Sequence, residues 1–145
     1  MSPAAAVVLD NEAALALLDP NHPNHPKHRR LVALLTEANR RNLRRAGRIM
    51  LIVATAVRVE AGWARTDPAG ANAHRLTRPR DHVLDTAAAN RATQLRVAAN
   101  VSVVDACVAE AAEAAPRLVA IATSDQGDMD HLAGLLTERQ QVRSS

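Results

Sequence analysis

Apolar residues along this chain occur in two kinds of segment, short continuous runs and longer stretches where they recur every three or four positions. The continuous runs read as strands buried on both faces: Ala5–Leu9, Ile49–Val53 and Leu118–Ala122, with His82–Leu84 as a shorter candidate. The periodic stretches predict helices over 11–19, about 27–46, 55–63, 69–78, 86–98, 102–115 and 128–138. Breakers separate them: prolines at 20, 23 and 26, Gly47, Pro79 and Pro116. Strands alternating with helices predict an α/β fold, a three-layer α/β/α arrangement around a short central parallel sheet. The whole of 1–145 reads as one domain, with 139–145 a polar tail that frays or adds a short edge strand.

Composition narrows what can fill the core. Hydrophobic residues make up 48% of the chain, yet Phe and Tyr are absent and Trp63 is the only aromatic side chain. Small aliphatic side chains must therefore build the interior, which suits helices packed closely on a parallel sheet. The same shortage weighs against base-stacking platforms for RNA. Lys27 is the only lysine, and the formal charge of +3 permits an anionic partner without requiring one. Cys107 is alone, so the chain has no internal disulfide or dithiol motif. No apolar run approaches the roughly 18 residues of a membrane span, and MSPAAAVVLD lacks a signal-like pattern, so the expectation is a soluble cytoplasmic protein without membrane contact.

Acidic residues then give the chain its candidate chemistry. Asp10, Glu60, Asp105 and Asp125 each follow an apolar run, and Asp128 lies about one helical turn beyond the last. Helix capping accounts for several of them singly: Asp10 precedes a helix, Ser102 and Asp105 fit a capping box, and Asp125 and Asp128 flank another helix start. Capping does not account for Glu60, inside its helix beside Val57 and Val59, and Asp105 shares a helical face with Val101, Val108 and Ala112. Helix starts that follow parallel strands gather at one end of the sheet, where open α/β folds bind ligands. Carboxylates gathered there repel one another unless a hard divalent cation neutralises them, and such a cation acts on phosphate esters.

The segments VVLD, AVRVEAG, VSVVDACVAEA and ATSDQGDM, in that order, resemble the PIN domain, and within it the VapC-type toxin ribonucleases of bacterial toxin–antitoxin pairs. The resemblance runs from Ala5 to about Leu136, and its more specific parts are TSD-x-x-D and D-A-x-x-A-E. It implies an endoribonuclease dependent on Mg²⁺ or Mn²⁺, with Asp10, Glu60, Asp105 and Asp125 as the catalytic quartet. Asp10, Asp105, Asp125 and Asp128 would hold the metal, Glu60 would be a further ligand or orient a water, and Thr123 and Ser124 would line the same pocket. It further implies an RNA substrate, a homodimer and a cognate antitoxin protein. One departure is Asn11-Glu12, where the family often carries a small hydroxyl residue; Glu12 is then an extra acid or a solvent-facing one.

Other clusters carry two readings each. His22, His25 and His28 form either a zinc site or, more simply, a helix entry, since no acid or thiol in the loop completes a tetrahedral set. Arg40, Arg41, Arg44, Arg45 and Arg48 are either phosphate-binding or a solvated helix face. Trp63 anchors a subunit interface or packs in the core, and Cys107 reads as a packed thiol. Rival function classes are a receiver- or phosphatase-like domain and a non-catalytic PIN-like binding module whose acids only cap helices. The first is disfavoured because Lys27 is misplaced and Asp10-Asn11-Glu12 is not a D-x-D signature.

Overall fold

A computed structural model describes residues 5–41, 48–115 and 117–123. The chain runs β1 (Ala5–Leu9), α1 (Asn11–Leu18), α2 (His25–Arg41), β2 (Ile49–Ala54), α3 (Thr55–Ala61), α4 (Pro68–Thr77), β3 (Arg80–His82), α5 (Thr86–Ala99), α6 (Val103–Ala114) and β4 (Leu118–Ala122). The strands form one parallel sheet in the order β3-β2-β1-β4. The expected α/β/α architecture is thus present. β1 is buried along its whole length, because a central parallel strand is covered on both faces. α1, α2 and α4 pack together, while α5 pairs with α6, which crosses β2, β1 and β4. The two groups on opposite faces follow from right-handed crossovers: β1 to β2 to β3 steps one way, and β3 to β4 steps back past β1.

The core is built of Ala, Val, Leu and Ile, with one large exception. Trp63 is 2% exposed, and its Nε1–H donates to the Gly70 carbonyl at 3.0 Å. It is a core residue rather than an exposed interface anchor. Gly70 is required where it stands, because a Cβ there would collide with the Ala64 carbonyl. Cys107 is buried, which pushes its thiol above its ordinary pKa, with Glu110 adding to the effect.

Several boundaries differ from those expected. β3 is Arg80–His82, not His82–Leu84, pairing Ile52, Val53 and Ala54 with Arg80, Asp81 and His82. Val83 and Leu84 are 62% and 39% exposed, so the apolar pair that suggested a strand lies past its end. What holds this polar strand is Asp81, which accepts from Arg58 at 2.9 Å and meets Arg65 at 3.2 Å. Thr55 does not cap α3; Ala54 occupies the N-cap and the Thr55 hydroxyl accepts the Leu84 N–H at 3.1 Å, tying the loop after β3 to α3. α3 ends earlier than expected, at Gly62 in the left-handed conformation (φ 76°). α2 starts at His25, with Pro26 in its first turn, where a missing N–H costs nothing. The predicted helix over 128–138 and the tail lie outside the described residues.

Candidate functional site

β1 is the strand at which the order of the sheet reverses, with β2 on one side and β4 on the other. Connections leave such a point toward opposite faces and open a crevice beyond the strand ends. Asp10 is the first residue past β1, and Thr123 the first past β4. The Asp10 N–H donates to the Ala122 carbonyl at 3.0 Å, so the two strand ends are stitched together there.

The Asp10 side chain is held from two directions. Its Oδ1 accepts the Ala13 N–H at 2.7 Å, the N-cap bond of α1, and the Thr123 hydroxyl donates to the carboxylate as well. Burial raises its pKa above the ordinary carboxyl value, and the nearby charges of Glu12 and Asp105 add to the rise against those two hydrogen bonds. No Lys or Arg pairs with Asp10 among the described residues.

Asp105 reaches this place from the N-terminal turn of α6. Ser102 caps the helix by accepting the Asp105 N–H at 3.0 Å, one half of the expected capping box. The Asp105 residue is exposed rather than turned to the apolar face, and its carboxylate bonds to no described residue. It is near enough for its charge to act on Asp10.

Glu12 belongs to the same neighbourhood, and its partner was not legible from spacing. His22 Nε2 lies 2.8 Å from Glu12 Oε1, while His22 Nδ1 accepts the Asn24 N–H at 3.0 Å. With Nδ1 accepting, the neutral ring carries its proton on Nε2 and donates it to Glu12. The other two histidines do different work: His25 Nδ1 meets the Ala16 carbonyl at 2.7 Å, and His28 is 1% exposed in an apolar surround with neither ring nitrogen bonded. The three therefore do not converge on one metal, and the cluster is a helix entry.

Glu60 is placed differently from Asp10 and Asp105. It is exposed on the last turn of α3, beside Val59, which is 83% exposed. Asp125, Asp128 and Ser124 lie outside the described residues, as do Arg44 and Arg45. Of the arginine stripe, Arg40 forms a two-pronged pair with Glu37 (2.8 and 3.1 Å) and Arg48 is exposed. Among the described residues no three His, Cys, Asp or Glu side chains stand together closely enough to hold a metal ion.

The donor set at the crevice is nonetheless of the kind a hard cation takes. It consists of carboxylate oxygens and a hydroxyl, with a half-buried Asp10 whose charge no described basic side chain offsets. Fold and site together define an α/β protein with neighbouring acidic side chains at the switch point of a parallel sheet. Compared with known proteins, the chain matches no family model and no curated protein. No helix among the described residues is long and apolar enough to cross a membrane.

Proposed function

We propose that this protein is a Mg²⁺- or Mn²⁺-dependent endoribonuclease of the PIN type, the toxin of a type II toxin–antitoxin pair. The observation that carries the reading is the Asp10 carboxylate, set at the switch point, bonded by Thr123 and acted on by Asp105. Asp10 and Asp105 would hold the cation, joined by Asp125 and Asp128 from the segment after β4, with Glu60 in a supporting role. When bound, the cation supplies positive charge for the scissile phosphate and an activated water for in-line attack. The chain's own part is orientation. The Ala13 N–H and the Thr123 hydroxyl fix the Asp10 carboxylate and leave its remaining lone pairs to a ligand. An RNA substrate, a homodimer, an antitoxin partner and a cytoplasmic location belong to the same proposal.

The test is cleavage of RNA by purified protein with Mg²⁺ or Mn²⁺. Asp10→Asn and Asp125→Asn abolish cleavage and any growth arrest on expression, with an unchanged circular dichroism spectrum. Robust cleavage by Asp10→Asn in the presence of EDTA would sink the proposal.

A second reading, a non-catalytic module, draws on the caps themselves: Asp10 does cap α1 and Ser102 does cap α6. It predicts no metal-dependent cleavage by the wild type, and an Asp105→Asn variant indistinguishable from it.

A further inference from the structure

Three histidines line the way into α2, and each is turned toward α1 or the core behind it. His22 Nε2 meets Glu12 at 2.8 Å and His25 Nδ1 donates to the Ala16 carbonyl at 2.7 Å, so the entry is tied to α1 at two points one turn apart. Its backbone bonds are local: the N–H groups of His22, His25 and His28 donate to the carbonyls of Asp19, His22 and Asn24. No residue from 19 to 27 is buried, and His28 is the first that is. A segment with so few buried contacts opens at far lower cost than the core.

His28 is 1% exposed, in a seat made of aliphatic side chains. Val7 and Leu9 of β1, Leu17 of α1 and Leu51 of β2 surround it, with Leu31 and Leu35 of its own helix. The space left at the ring is about 10 Å³, room for one water at most, and the lining holds no other polar side chain. Nδ1 and Nε2 are both buried, and neither has a hydrogen-bond partner among the described residues. A neutral ring endures this at some cost, whereas an imidazolium has two donors and no acceptor to meet them.

Burial is the main bar to a proton on this ring, and the charges facing it do not lift that bar. His22, Lys27 and His25 oppose a proton, as does the positive end of the α2 dipole. α1 contributes Glu12, which favours one but is already bonded by His22. β1 and β2 contribute only Val7, Leu9 and Leu51. The other two histidines do not share the penalty. On protonation His22 loses the Asn24 N–H but strengthens its pair with Glu12, and His25 donates to Ala16 in either state.

We infer that the first turn of α2 is an acid-released latch: a proton on His28 drives the ring from its seat and lifts the turn off α1, while the sheet and the remaining described helices stay folded. The closed form holds fully above about pH 6.5 and loses ground below it, because the imidazole of the opened turn takes up a proton first. Opening breaks the His25 bond to Ala16 and bares Leu17 and Leu9, the latter one residue from Asp10. The latch does not depend on what Asp10 and its neighbours bind.

The experiment is amide hydrogen exchange of the intact protein at about pH 7.5 and about pH 5, on either side of the imidazole range, read as protection after division by the intrinsic rate at each pH. In the wild type, protection of the amides of 28–31 is expected to be about tenfold lower at the acid pH, with β1 and α6 unchanged. In His28→Leu and His28→Gln the same amides keep equal protection at both pH values. The glutamine variant retains a polar head without titrating, so the pair of variants separates the proton from the shape of the side chain. Equal protection at the two pH values in the wild type, the same acid loss in both variants, or a loss shared by β1 and α6 overturns the proposal.

Discussion

At the scale of single residues, two side chains carry ionisation states that folding opposes. Asp10 is a good helix cap and a poor place for a charge. Its pKa is raised by burial and by Glu12 and Asp105, so the folded state holds its proton more tightly than the unfolded chain. The sign follows from linkage: this contribution is full below the unfolded carboxyl value of about 4 and is lost as pH rises through the folded value. Asn caps a helix as well as Asp does. Asp10→Asn is therefore expected to raise the melting temperature of the metal-free protein at neutral pH by roughly 2–4 °C, as read by differential scanning fluorimetry. His28 is displaced the other way. Burial chiefly, with His22 adding to it, pushes its pKa below the ordinary value, and neither ring nitrogen finds a partner. Its contribution is present above about pH 6.5 and is lost as pH falls toward the folded value, because the unfolded imidazole takes up a proton first. His28→Leu is expected to flatten thermal stability between about pH 5 and 7 and to stabilise the protein by about 1–3 kcal/mol at the acid end, the cost of unpaired buried polar atoms. Equal pH dependence in wild type and variant would count against this.

At the scale of elements, local signals succeeded where one residue type decides the outcome. Asp10 and Ser102 start α1 and α6 as their side chains dictate, whereas α3 stops at the left-handed Gly62, short of the end expected at 63. β1 and β4 were legible because continuous apolar runs suit a buried parallel strand. β3 was not, because its residues are Arg, Asp and His and its place is set by partners elsewhere in the chain. Asp81 ties this strand to α3 and the loop that follows it, through Arg58 and Arg65. Asp81→Ala removes its pairs with Arg58 and Arg65 and is expected to cost about 1–3 kcal/mol in urea denaturation. Val83→Ser, in the apolar pair just beyond the strand, should change stability by less than about 0.5 kcal/mol. Gly70→Ala belongs with the severe changes, since the Ala64 carbonyl must move before the new methyl fits.

At the scale of the whole molecule, the strand order sets what meets what. A β3-β2-β1-β4 sheet places the end of its first strand beside the end of its last, and so sets Thr123 against Asp10. α6 returns across that sheet and brings Asp105 near enough for its charge to act on Asp10. If the crevice takes Mn²⁺, the ion stabilises the wild type by mass action, about 2.7 kcal/mol at a hundred times its dissociation constant. A Mn²⁺-dependent rise in melting temperature that disappears in Asp10→Asn checks this without any RNA present. The sequence by itself determined the class of fold, most helix starts, the small-aliphatic core and the acids worth testing, because capping, periodicity and composition act over a few residues. Only the tertiary structure decided that Thr123 bonds Asp10 and the charge of Asp105 acts on it, that Glu12 is held by His22, that Glu60 faces solvent and that Trp63 is core. Those outcomes depend on strand order and helix packing, which join residues distant in the chain and leave no trace in local pattern. Asp10, Glu12 and Asp105 thus change from separate residues at helix starts into neighbours, with the charges of Glu12 and Asp105 acting on Asp10.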